Sequence, residues 1–265
     1  YSTRVQNAEA NKQGIQTFIA QLAISERPGQ PAVDMFLCPT GMNAIYSLSE
    51  SLVSLESDAQ VAAYGWLYPE TVEVLRRGAW KNALSFKHGT EKELDQLEGI
   101  LLSGQRIHTL FCELPSNIKL SSPNLHRICA LANQYGFIVA CDDTVAGYVN
   151  IDALPYVDVM ISSLTKTFSG SSNVTGGSLV INPNSRYCAT IHAALSANYE
   201  NIYFPLDLDT LLHNCQDIAW RVRKCNHNTL PLVNLFTEHP SIAQVNHPPT
   251  DSTAHLYTSL IQSQA

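Results

Sequence analysis

At 265 residues, 45% hydrophobic and 15% charged, the chain is long enough to bury a large core and too apolar to be a disordered segment. A formal net charge of −7 without a long basic cluster argues against a protein that grips the phosphate backbone of nucleic acid. Seven scattered cysteines form no C-x-x-C pair, the nine histidines show no metal spacing, and no apolar run nears the roughly 20 residues of a membrane span, so the expectation is a soluble protein of a reducing, cytoplasmic compartment without bound metal.

Short apolar runs recur in chain order: "VDMFLC" (33–38), "AQVAAYGW" (59–66), "ALSF" (83–86), "IHTLFCEL" (107–114), "GFIVACD" (136–142), "VDVMISS" (157–163) and "GGSLVIN" (176–182). Between several of them lie stretches with apolar residues every three or four positions, at 41–54, 69–78, 91–103 and 123–135, which predict amphipathic helices. Near-continuous apolar strands separated by helices are what a sheet buried on both faces requires, so a mostly parallel α/β sheet is expected. Beyond "INPNS" the alternation stops. Residues 186–198 and 206–236 read as helices, "PSIAQVNHP" (240–248) as a single strand, and 206–265 as a linking helix with the beginning of a smaller α+β domain, following a large domain over 1–205.

Three strand ends carry candidate chemistry, and in open parallel sheets ligands bind at such ends. In "CPTGMNAI" a helix opens just after Thr40 and Gly41, so free N–H groups and a positive helix end could hold a phosphate; read alone, it is equally an ordinary helix cap. In "IVACDDT" the carboxylates of Asp142 and Asp143 follow a fully apolar strand, a costly place unless a cation pairs with one of them. In "SSLTKTFSG" Ser163 and Thr165 flank Leu164, so their hydroxyls could meet an anion together while Lys166 projects beside them. No acidic residue stands between Asp158 and Glu200 to pair with that lysine, and a lysine so placed suits Schiff-base chemistry. A phosphate cradle, a buried aspartate and an amine together meet the needs of pyridoxal 5′-phosphate, whose ring nitrogen an aspartate keeps protonated.

The same segments resemble the Cys/Met-metabolism pyridoxal phosphate enzymes, a family that includes cystathionine γ-synthases and lyases, methionine γ-lyase and O-acetylhomoserine sulfhydrylase. "SSLTKTFSGSSNVTGG" is similar to their S-x-T-K lysine segment with its trailing glycine pair, and "CDDTVAGY" to their D-N-T turn, with Asp143 in place of the asparagine. "CELPSNIKL" resembles their E-x-P-x-N segment, "PTGMNAI" their S-G-M phosphate loop, "GWLYPET" the segment of the ring-stacking tyrosine, and "YSTRVQN" the Y-S-R arm that reaches a neighbouring subunit.

The resemblance implies the aspartate aminotransferase-like architecture, known as fold type I, and pyridoxal 5′-phosphate as cofactor. It implies Lys166 and Tyr68 as catalytic residues. Cofactor contacts would come from Gly41, Met42, Tyr68, Asn117, Asp142, Thr144, Ser163, Thr165, Lys166, Tyr1 and Arg4. It also implies a homodimer or homotetramer acting on a small amino-acid substrate, with γ-replacement on an O-acyl-homoserine as the leading activity. The alternatives are a γ- or β-lyase, a sulfhydrylase, or a truncated remnant without catalysis. The family's C-terminal arginine for the substrate carboxylate has no counterpart here, because the last arginine is Arg223.

Overall fold

A computed structural model describes residues 7–23 and 35–262. In chain order its elements are α1 (Ala8–Ala23), β1 (Met35–Cys38), α2 (Gly41–Val53), β2 (Gln60–Tyr64), α3 (Pro69–Arg77), β3 (Asn82–Phe86) and α4 (Glu91–Leu102). There follow β4 (Thr109–Glu113), α5 (Leu125–Tyr135), β5 (Ile138–Asp142), the short α6 (Gly147–Asn150), β6 (Val159–Ser162) and β7 (Gly177–Ile181). The helices α7 (Cys188–Asn198), α8 (Pro205–Asn214), α9 (Ile218–Glu238) and α10 (Ala254–Thr258) complete the chain.

Every one of the seven apolar runs contains a strand, and the strands form one sheet in the order β1-β7-β6-β5-β4-β2-β3. Neighbours from β3 across to β6 are parallel, and β7 runs antiparallel to both β6 and β1. The sheet is mostly parallel, as the alternation of strands and helices requires. Successive strand residues point to opposite faces, and the burial follows. Leu37, Leu110, Cys112, Val139, Cys141 and Val180 enter one core with α1, α4 and α5, while Phe36, Phe111, Ile138, Ala140, Leu179 and Ile181 enter the other with α2 and α7. Only β3, at the sheet edge, leaves most of its residues partly or fully exposed.

Capping residues fix where the helices begin and end. Thr90 and Glu93 form a reciprocal capping box at the start of α4, and Gly136 ends α5 in the left-handed conformation at φ 80°, which a residue without Cβ adopts freely.

Two expectations need correction. The long helix read over 206–236 is two helices, α8 and α9, separated by a 3-10 turn at Cys215–Asp217. At the break, the Asn214 backbone carbonyl, which a continuous helix would pair internally, accepts from Arg221, while the Asn214 side-chain amide donates to Ser169 and Asn173. "PSIAQVNHP" forms no strand: residues 242–247 are irregular and pair with no sheet edge. A lone extended segment has no ladder to satisfy its backbone. The chain instead lies back on the first body. The Gln262 amide donates to the carbonyls of Tyr148 and Ile151, both at 2.9 Å, Ile261 bridges Ile151, and Tyr257 and Leu260 are buried there. Helix α1, which the sequence reading did not assign, packs against α8.

Candidate active site

The carboxyl ends of β1, β2, β4, β5 and β6 open into one cavity of about 560 Å³. On the β1 side, Thr40 caps α2: its hydroxyl accepts the Asn43 N–H at 3.0 Å. The N–H groups of Gly41 and Met42 precede any carbonyl of the helix that could take them, and together with the helix dipole they make an anion site. Gly41 lies against Ser163 so closely that a Cβ on the glycine would stand 2.7 Å from the serine Cβ. Across the loop, a Cβ on Gly177 would run into the Thr40 carbonyl, and one on Gly176 would meet the Tyr203 hydroxyl at 2.5 Å. Gly177 is thus the condition for β7 to start directly behind the helix end, while Gly176 leaves room for Tyr203.

Strand β6 stops at Ser162, and the chain then folds into a tight turn. Lys166 N–H donates to the Ser163 carbonyl at 3.2 Å and Gly170 N–H to the Lys166 carbonyl at 2.9 Å, which leaves the exposed Lys166 side chain at the cavity. Thr165 differs from its expected presentation. Its hydroxyl donates to the Gly176 carbonyl at 3.2 Å and accepts the Gly176 N–H at 3.0 Å, so its proton ties the turn to β7 and is not offered to an anion. The reason is that the chain leaves strand geometry at 163, so the alternation that would present both hydroxyls together is lost. Arg221 secures the same turn from outside, donating to the carbonyls of Thr167, Phe168 and Ser169 while ion-pairing with Asp217 at 2.7 Å.

At the centre, Asp142 ends β5 with its carboxylate accepting the Thr144 N–H at 2.9 Å, and burial pushes its pKa up. The Thr144 hydroxyl accepts the Ser163 N–H at 2.8 Å and so joins the ends of β5 and β6. Asp143 points the other way, into the core. Neither of its oxygens meets a hydrogen-bond donor in normal geometry, and burial together with the Asp142 charge pushes it up to about 8. It is therefore mostly protonated at neutral pH, and a neutral carboxyl is close in shape to the amide it replaces in the D-N-T pattern.

On the β4 side, Glu113 is buried, and its two carboxylate oxygens accept the backbone N–H groups of Tyr68 and Asn117, the latter at 3.0 Å. Burial and the neighbouring Asp142 charge raise it to about 7, against the two N–H bonds that favour the anion. The turn after Asn117 holds Ile118 at φ 69° and Leu120 at φ 58°. For a β-branched or bulky residue such a conformation costs on the order of 1–3 kcal/mol and persists only where the surroundings enforce it. Tyr68 stands at the cavity mouth, 41% exposed, and the nearby Glu70 carboxylate pushes its phenol up.

Of the residues read from the sequence, Gly41, Met42, Tyr68, Asn117, Asp142, Thr144, Ser163, Thr165 and Lys166 all line this cavity. Tyr1 and Arg4 lie outside the described residues. The reading passed over Glu113 and Arg221. Glu113 carries the signal that singled out Asp142, a carboxylate at the end of an apolar strand; Arg221 carries none, since its role depends on where α9 crosses the lysine turn. No cluster of three or more His, Cys, Asp or Glu able to hold a metal occurs among the described residues, and no described helix is long and apolar enough to cross a membrane.

Comparison with known proteins gives a consistent set of matches. The family described as "Cys/Met metabolism PLP-dependent enzyme" matches residues 4–264. A cystathionine gamma-synthase-like protein, ankD, of Aspergillus thermomutatus is 44% identical over 256 residues, covering 96% of this chain and 46% of the relative. A cystathionine gamma-synthase of Neurospora crassa is 35% identical over 220 residues, covering 81% of this chain and 35% of the relative. The chain thus spans less than half the length of these relatives. Among solved structures, a cystathionine gamma-lyase of Micromonospora echinospora superposes with a TM-score of 0.78 at 20% identity, over 95% of this chain and 64% of that one.

Proposed function

The chain belongs to the Cys/Met metabolism PLP-dependent enzyme family, and from that premise we propose that it serves γ-replacement on an O-acyl-homoserine, in the manner of a cystathionine γ-synthase. The family's cofactor is pyridoxal 5′-phosphate, and the residues present fit it. The helix end at Gly41 and Met42, packed against Ser163 with no room for a Cβ, suits the phosphate. Asp142 suits a protonated ring nitrogen, because burial makes its charge costly until a cation arrives. Lys166 offers an amine beside both. That one cavity gathers these three unlike groups is the observation that carries the proposal.

When bound, the cofactor supplies an electron sink for carbanion chemistry at the substrate α- and β-carbons. The rest falls to the protein. Gly41 and Met42 would hold the phosphate through backbone N–H groups, with the Ser163 hydroxyl beside them. Asp142, held in orientation by the Thr144 N–H, would keep the ring nitrogen protonated. Tyr68 would lie against the ring and Asn117 would serve its hydroxyl, since both line the cavity. Lys166, its amine free while substrate occupies the site, would take a proton from Cα and then one from Cβ, and would return both once the Cγ–S bond has formed. The Cγ–O bond breaks, the acyl group leaves as a carboxylate, and the sulfur of an incoming thiol, cysteine in this proposal, forms the Cγ–S bond as its proton is released. Tyr1 and Arg4 belong to the same reading as a neighbour's phosphate contacts in a homodimer or homotetramer of the cytoplasm, with 1–205 as the large domain and 206–265 leading into a second one.

The test is reconstitution with pyridoxal 5′-phosphate followed by product analysis with O-acetylhomoserine, with and without cysteine. Visible absorbance of bound cofactor and a thioether product that requires cysteine are expected. Elimination products formed equally without cysteine would point to a lyase, and a colourless protein at saturating cofactor would overturn the assignment.

A further inference from the structure

We infer that Glu113 is the positioning residue that clasps the Tyr68 loop and the Asn117 turn to the end of the sheet, and so sets the spacing of the two walls between which the cofactor ring would lie. The inference rests on the functional reading only for what those walls hold; the clasp itself is a property of the chain without ligand.

Four observations carry it. Glu113 is the last residue of β4, in register with Asp142 on β5, so its backbone is fixed by the sheet at the floor of the cavity. Its carboxylate, buried, accepts two main-chain N–H groups, one from Tyr68 on the loop after β2 and one from Asn117 on the loop after β4. A carboxylate can accept both at once because each oxygen is an acceptor; an amide in its place would face one N–H with another N–H. The two segments have a second, outer link, the Lys119 ammonium 4.9 Å from the centre of the Trp66 ring, which shows that they pack as a pair. The left-handed conformations at Ile118 and Leu120 need an external constraint, and the bond at Asn117 provides one at the first residue of that turn.

The clasp also links to the cofactor. The Asp142 charge disfavours the Glu113 anion, so a cationic ring nitrogen arriving at Asp142 relieves that repulsion and strengthens both N–H bonds. Glu113 thereby tightens the walls in response to the group between them, acting through Tyr68 and Asn117 without entering the reaction.

The experiment is amide hydrogen exchange by NMR on cofactor-free wild-type protein and on Glu113→Gln, with cofactor affinity measured in parallel. In the wild type the Tyr68 and Asn117 amides should be protected at least tenfold beyond the exposed Trp66 and Ile118 amides. In Glu113→Gln at least one of the two should lose that protection, with Val139 in β5 unchanged as the control for intact folding. Wild-type cofactor affinity should rise with pH around 7, and Glu113→Gln should remove that inflection and bind about tenfold more weakly. Unprotected Tyr68 and Asn117 amides in the wild type would overturn the clasp even if Glu113→Gln did not fold, as would unchanged exchange in a folded Glu113→Gln. A wild type that shows the protection but binds no cofactor would leave the clasp standing and refute the functional reading instead.

Discussion

Gly41 stands so close to Ser163 that a Cβ on the glycine would lie 2.7 Å from the serine Cβ and 3.0 Å from its hydroxyl oxygen. Both sites are backbone-anchored, one at a helix start and the other at a strand end, so neither yields cheaply. Gly41→Ala should destabilise the protein by about 1–3 kcal/mol and weaken cofactor binding by displacing the helix end. Thermal denaturation and cofactor titration of the variant check both, and an unchanged cofactor Kd would show that the helix end is not the phosphate site.

Lys166 is exposed, and the bonds it makes itself within the turn run through its main-chain groups. Lys166→Ala should therefore fold with stability within about 0.5 kcal/mol of the wild type while losing the visible absorbance that a covalently held cofactor gives. Absorbance after reconstitution and desalting, set beside a denaturation curve, separates loss of the bond from loss of the fold.

Asp143 makes stability depend on pH in a defined direction. Its carboxyl is raised from the ordinary aspartate value of 3.8 to about 8 in the folded state, so between those limits the folded protein binds more protons than the unfolded one. The contribution is fully present below about pH 4 and is lost as pH rises through about 8. Glu113, raised to about 7, acts in the same direction over a narrower window. Asp143→Asn should flatten the decline between pH 5 and 8, measured by urea unfolding at each pH; a slope equal to that of the wild type would contradict the buried neutral carboxyl.

Arg221 holds three successive carbonyls of the turn that follows Lys166, and its side chain is 22% exposed. Arg221→Met keeps the aliphatic stem but removes the charged donors, with an expected loss of about 1.5–3 kcal/mol. Because the turn is released locally, exchange of the Ser169 and Gly170 amides should accelerate more than that of β7, which distinguishes a loosened turn from general destabilisation.

The Thr144 hydroxyl accepts the Ser163 N–H across the gap between two strand ends. Thr144→Val leaves that N–H without a partner at an expected cost of about 1–3 kcal/mol, and Thr144→Ser should restore most of it. Chemical denaturation of the two variants checks the pair.

Local pattern was enough for the strands, because each is an apolar run that only a sheet covered on both faces can bury, and Leu110 and Phe111 could be assigned to opposite faces from the two-residue period alone. It was also enough to single out Lys166, Asp142 and Gly41, whose residue types are costly or unusual where they stand. Long-range geometry was beyond it. The hydroxyl of Thr165 turns to Gly176, eleven residues away, because the chain leaves strand geometry at Ser163, and no propensity at 163–165 encodes that exit. The segment 240–248, read as a strand, forms none because it has no edge to pair on, and the chain reaches Tyr148 and Ile151 only further on, through the Gln262 side chain. The sequence by itself determined the strands, the residue types that line the cavity and the family. Only the tertiary structure decided that Gly177 admits a helix end, that Glu113 spans two loops, and that Arg221 guards the lysine turn, because these depend on contacts between segments whose separation in sequence carries no signal.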